Sequence, residues 1–204
     1  GRIVTSASVE ASKYELIVSA ARQEIEARGI VGLRVQEVAR QADCSVSLIY
    51  RHFTSRDGLL AHVLTEDYAR NIERWAELVD AVEAGSGPVD FEAIIDQLPM
   101  PQSAYMRKMR WSRVQTLAAS VDNEPLRARL SDLARKFQSI SGRLIRAIAR
   151  RNGVTMTFDV AAFTQLTMSF AFMLIHNELL APDEQMDDNA MRAFYRDLIA
   201  RYLS

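Results

Sequence analysis

Apolar residues recur every three or four positions along most of this chain, and no useful run alternates apolar with polar, so the pattern predicts helices and no strands. Ile17, Ala20, Ala21 and Ile25 share one face of a first helix. Ser12-Lys13-Tyr14-Glu15 reads as a capping box, with Ser12 accepting from first-turn amides and Glu15 reaching back. A helix from Ser12 to Arg28 is therefore expected. Residues 1–11 would be a loose arm and Gly29 a left-handed terminator. A second helix, about Arg34 to Ala42, would bury Val35, Val38, Ala39 and Ala42. Asp43-Cys44 makes a tight corner, and Ser45 caps a third short helix from Val46 to about Phe53. Thr54 and Ser55 offer one more cap before a fourth helix, which opens at Arg56 and meets no proline before Ala84.

Ala84-Gly85-Ser86-Gly87-Pro88 is the clearest break in the chain. Beyond it the periodicity predicts a short helix over Phe91–Leu98, stopped by Pro99 and Pro101. Longer helices follow over Gln102–Ser120, Pro125–Arg151, Asp159–Leu180 and Asp187–Leu203. Asp122-Asn123-Glu124-Pro125 and Pro182-Asp183 are turns, with Pro125 suited to a first helical turn. The expected fold is all-α, with about nine helices: a three-helix head over residues 1–56 and a helical-bundle body over residues 57–204.

Composition changes this picture little. Of 204 residues, 49% are hydrophobic and 25% charged, which is ordinary for a globular chain. Phe158–Leu180 is the most apolar stretch, but Asp159, Gln165, His176, Asn177 and Glu178 interrupt it, so a buried helix is expected and no membrane partner. The single cysteine, Cys44, and the lack of a charged-then-apolar leader at the start point to a cytoplasmic home. Net charge is −1, so attraction to phosphate must come from local clustering; from Arg34 to Arg56, four arginines face two acids. His52, His62 and His176 show no metal spacing, and neither HExxH nor a Gly-rich phosphate loop occurs. No catalytic residue, cofactor or metal is assigned, and the chain is not read as an enzyme.

Three short helices with a tight corner between the last two form a helix-turn-helix pattern. At about 100° per residue, Ile49 and Phe53 share one face of the third helix, with Val46 at its border. Ser47 and Arg51 point the other way, flanked by Tyr50 and His52. Hydrogen-bonding groups of several lengths on an outward face suit a major groove about 12 Å wide and the phosphates beside it.

The run Ala42-Asp43-Cys44-Ser45-Val46-Ser47-Leu48-Ile49-Tyr50-Arg51-His52-Phe53 resembles the helix-turn-helix signature of TetR-type transcriptional regulators. So do Gly29…Val35-Gln36-Glu37-Val38-Ala39 upstream and Phe53-x-x-Arg56-x-x-Leu59-Leu60 downstream. The motifs cover about Ile17 to Leu60. The resemblance implies that Tyr50 bonds a phosphate, that His52 makes an adjacent backbone contact, and that Arg56 faces phosphate where the family usually has Lys. It implies that Ser45 caps the helix and touches the backbone, and that Val46, Ser47, Leu48 and Arg51 lie nearest the base edges. Gln36 matches a position that often reaches a base, and Arg34 sits where a capping Thr or Ser is common. Three departures stand out: Asp43 for the usual turn glycine, Cys44 for valine, and Leu48 for threonine.

The resemblance further implies a homodimer on a palindromic double-stranded DNA operator and a small-molecule effector held in the body. The two last helices supply the dimer candidates Phe163, Phe170, Leu174, Ala190, Phe194, Leu198 and Tyr202. Trp75, Phe91, Leu98, Met100, Tyr105, Met109, Trp111, Phe137, Met168 and His176 are candidates for lining an apolar or amphipathic ligand site. The function so implied is a repressor released by its ligand. A helical interaction protein that binds no DNA stays open as the alternative, and an enzyme whose site is assembled only by folding remains a remoter one.

Overall fold

The structure is a computed structural model that describes residues 6–96, 98 and 100–202. Among these residues all regular structure is helical: α1 (Ser6–Gly32), α2 (Val35–Gln41), α3 (Val46–Phe53), α4 (Arg56–Ala84), α5 (Phe91–Ile95), α6 (Ala104–Ala119), α7 (Glu124–Asn152), α8 (Val160–Met173), a 3-10 helix (Leu174–Leu179) and α9 (Asp188–Tyr202). Residues 1–5, the Pro99 stop and the end at Leu203 lie outside the described residues. No described helix is long and apolar enough to cross a membrane.

Two expectations are corrected. Helix α1 begins by Ser6, so Ser12 is an exposed interior residue and the capping box does not form. No Gly or Pro lies between Ser6 and Arg28, and nothing in that stretch obliges the helix to start late. The long helix expected over Asp159–Leu180 tightens into 3-10 geometry at Leu174. There Leu180 N–H bonds Asn177 O at 3.3 Å, and the Asn177 side-chain oxygen accepts from Met186 N–H at 2.8 Å. A side chain that bonds nearby backbone competes with the helical ladder. Other boundaries follow from local chemistry. Asp90 and Asp159 cap α5 and α8, accepting from Ala93 N–H at 3.4 Å and Ala162 N–H at 2.7 Å. Gly29 interrupts α1 with φ 74° and ψ 171°, a conformation that glycine alone adopts without strain.

The chain divides into two compact units. The first comprises Gly1–Ala69 with Thr116–Asp132, and the second Arg70–Gln115 with Leu133–Ser204. The first is built on Ile17, Ala21, Val38, Ile49 and Leu59, all completely buried. Its α6–α7 corner is fixed by Asn123, which donates to Asp57 O at 3.3 Å and accepts from Leu126 N–H at 2.9 Å. In the second unit Val79, Ile95, Ala147, Ile148 and Met191 form the core. Arg196 pairs with Glu92 at 2.6 Å and Arg192 with Asp96 at 2.7 Å, which ties α9 to α5. The break at 84–88 is held by Arg151, whose guanidinium donates to the carbonyls of Val82, Ser86 and Gly87 at 2.8–3.1 Å.

Candidate nucleic-acid interface

Helix α3 is eight residues long, and its two sides differ sharply. Ile49 and Phe53 are buried in the first unit's core, while Ser45, Ser47, Tyr50 and Arg51 are exposed. Ser45 opens the helix in extended geometry, and its Oγ accepts from Leu48 N–H at 3.2 Å. A cap of this kind is worth about 1 kcal/mol. Ser45→Ala is accordingly expected to destabilise the first unit by about that much, read as a lowered midpoint in chemical denaturation followed at head signals.

The turn before α3 depends on Asp43, which takes φ 49°, the left-handed region that glycine normally fills. Its exposed carboxylate sits 3.6 Å from Lys13 Nζ, which also donates to the carbonyls of Asp43 at 2.7 Å and Ala42 at 3.2 Å. A lysine from α1 thus grips the turn and offsets the acid brought by the Gly-to-Asp departure. The sequence reading missed this contact, because a separation of about thirty residues leaves no local pattern.

After α3 the chain turns through Thr54 at φ 68°. A Cβ at Gly58 would lie 2.0 Å from Phe53 O, so only glycine lets the first turn of α4 press this close. Ser55 caps α4 by accepting from Gly58 N–H at 2.9 Å.

The expected contact residues fall into three groups. Arg34, Gln36, Ser45, Ser47, Tyr50 and Arg51 are exposed together on the first unit. Arg34 precedes α2 without a side-chain capping bond. Val46 and Leu48 are half-buried and pack against the head core, which limits what they can offer a base. His52 and Arg56 are half-buried and also make contacts inside the first unit. The His52 Nε2 is buried, and its ring meets Tyr14 edge-on at 5.6 Å. Arg56 donates to Ile30 O at 3.0 Å, Val31 O at 3.0 Å and Leu33 O at 3.2 Å, stapling the α1–α2 link. Cys44 is half-buried, and burial raises its thiol pKa above the ordinary value, a setting for packing and not for reactivity.

In the second unit, Trp75, Phe91 and Leu98 pack on the core and Met100 is buried in it. Trp75 and Phe137 rings lie 6.5 Å apart, and the Met109 sulfur accepts from Asn71 at 3.9 Å. Met168 is half-buried. Tyr105, Trp111 and His176 are exposed. Trp111 instead donates its indole N–H to Glu178, which pairs with Arg110 at 2.9 Å. Of the dimer candidates, Leu174 is buried in its own unit's core and presents no free face. Phe163, Phe170 and Leu198 are half-buried; Ala190, Phe194 and Tyr202 are exposed. Phe170 meets Phe194 at 5.8 Å, and Phe163 meets Tyr202 at 6.5 Å. No three His, Cys, Asp or Glu side chains gather as a metal site among the described residues.

Residues 17–63 match the model of the bacterial regulatory proteins of the tetR family. No curated protein sequence matches the chain. Solved structures do. A regulator from Mesorhizobium loti assigned to the TetR family superimposes with a TM-score of 0.69 at 15% identity, covering 96% of this chain and 98% of that one. A transcriptional regulator from Saccharomonospora viridis in complex with choline gives 0.65 at 20% identity, over 94% and 96% of the two chains. The regulator FadR from Bacillus subtilis in complex with stearoyl-CoA gives 0.60 at 17%, over 91% and 97%. Residues 17–63 thus carry the signature of the tetR-family regulatory proteins, and the chain as a whole has the fold of that family's transcriptional regulators.

Proposed function

We propose that this protein is a sequence-specific DNA-binding transcription regulator: a cytoplasmic homodimeric repressor that a small apolar or amphipathic ligand releases from a palindromic operator. One observation carries the DNA-binding reading. Helix α3 is anchored from behind by Ile49 and Phe53 and leaves Ser47, Tyr50 and Arg51 exposed on a serine-capped helix. In this reading Tyr50 grips phosphate and Arg51 reaches a base edge, with Ser47 beside it and Arg34 and Gln36 contributing from the start of α2. Support for the dimer comes from large apolar side chains left exposed along α8 and α9, among them Leu166 at 68%, Phe194 at 49% and Tyr202 at 46%. Support for an effector comes from relatives of this fold that hold choline and stearoyl-CoA. A ligand favouring one head arrangement would lower operator affinity by linkage, about 1–3 kcal/mol of coupling being enough for a several-fold change.

Selection of bound duplexes from random DNA tests this reading, with a palindrome as the expected product. The binding constant should fall steeply between low and physiological salt. A protein that serves only as a helical scaffold would show neither result. Tyr50→Phe is expected to weaken all sequences alike. Arg51→Ala is expected to cost about 1–3 kcal/mol at one base position and to relax preference there, measured by gel shift against single-base operator variants.

A further inference from the structure

Four rings gather on one side of the first unit. Tyr14 stacks on Phe53 at 5.1 Å, meets His52 edge-on at 5.6 Å and meets His62 edge-on at 5.4 Å. With Pro125 and Arg129 they line an open cleft of about 290 Å³. Three properties of this cleft describe an occupant.

Size comes first. A cavity of about 150 Å³ holds a benzene ring, so this volume admits one substituted ring and falls short of the usual drug-sized pocket. The walls are aromatic, and rings favour stacked or edge-on ring partners.

Charge comes second. No carboxylate lines the cleft, and Arg129 brings a formal positive charge, its Nε–H donating to Thr65 Oγ1 at 2.6 Å. Burial first, and then Arg129, hold the His62 imidazole pKa below its ordinary 6.5, against the smaller opposing pull of the Glu66 carboxylate. The charge on the lining itself, that of Arg129, opposes a further cation, while the carboxylate of Glu66 acts on Tyr14 and His62 from outside the lining.

Hydrogen bonding comes third. Tyr14 and His62 satisfy each other at 2.8 Å, but the buried His52 Nε2 finds no partner among the described residues. A buried polar atom without a partner costs free energy that a ligand oxygen or a bridging water would recover.

We propose that this cleft binds a small aromatic carboxylate, its ring among Tyr14, Phe53 and His62 and its anionic group toward Arg129. The site is separate from any effector site in the second unit. It touches His52 and Phe53, at the end of α3, so that occupancy bears directly on the recognition helix.

The test uses the full chain and three probes of similar shape: benzoate, benzyl alcohol and benzylammonium. The protein has three histidines, and their ring C2–H resonances give the readout. His52 and His62 line the cleft, whereas exposed His176 belongs to the second unit and serves as an internal control. Benzoate should shift two of the three resonances saturably, benzyl alcohol at least about tenfold more weakly, and benzylammonium not at all. Arg129→Gln should cut benzoate affinity by about tenfold or more. If that variant does not fold, the charge series decides by itself. The proposal is overturned if benzoate leaves the His52 and His62 resonances unmoved to about 10 mM. Benzylammonium binding as well as benzoate, or a folded Arg129→Gln binding like the parent, overturns it too. Operator selection stands apart from these outcomes, so a failure of this site leaves the DNA-binding reading intact.

Discussion

Glu178→Ala is expected to destabilise the second unit by about 3–5 kcal/mol, a larger effect than any surface substitution should have. Arg110 is only 7% exposed and Glu178 11%. Arg110 Nη2 donates to Glu178 at 2.9 Å and to Pro101 O at 2.8 Å, while Trp111 donates to the other Glu178 oxygen at 2.5 Å. Truncating the glutamate strands a desolvated guanidinium and leaves the indole N–H without its acceptor. Both tryptophans, Trp75 and Trp111, belong to the second unit, so intrinsic fluorescence in a denaturant titration follows that unit specifically. The double variant Arg110→Met, Glu178→Leu should recover much of the loss, because well-packed apolar residues replace a buried pair with little net cost. A loss below about 1 kcal/mol in the single variant would mean that the pair behaves as an exposed one.

The second large effect concerns the root of α3. Ile49 is completely buried, and Ile49→Ala should cost the first unit about 2–5 kcal/mol through lost burial and the cavity left behind. Tryptophan fluorescence should register little of this, while far-ultraviolet circular dichroism shows an earlier melting phase. On the proposed function, DNA affinity should fall with it, although Ile49 itself faces away from the exposed side of α3. Loss of DNA affinity with unchanged head stability would be inconsistent with Ile49 acting as an anchor.

These two cases show what the sequence could and could not reveal. Ile49 and Phe53 were legible because they recur at helical spacing within a short segment, and the Ser45 cap and the full extent of α4 have equally local causes. The Gly29 break was legible because glycine is the residue for positive φ. The start of α1 was misread because a sequence able to cap a helix does not have to start one: the preceding residues propagate it just as well. Arg110 and Glu178 are 68 residues apart, so nothing local marks them as partners. The same holds for Lys13 on the Asp43 turn and for the bonds from Arg56 to the carbonyls of the α1–α2 link, which no local pattern marks. Side-chain type alone does not separate core packing from cavity lining. Trp75 and Trp111 look alike in sequence, yet one packs on a core and the other lies exposed.

The Arg56 staple has a kinetic consequence. Because one guanidinium holds the carbonyls of Ile30, Val31 and Leu33, the segment after Gly29 and the base of α4 are fastened at a single point. Native-state hydrogen exchange should therefore find amides near residues 30–34 and 56–60 opening as one cooperative event. Lysine, with three donors on a compact ammonium, cannot reproduce that planar fork. Exchange in Arg56→Lys should split the event into two, with the inter-helix segment opening first.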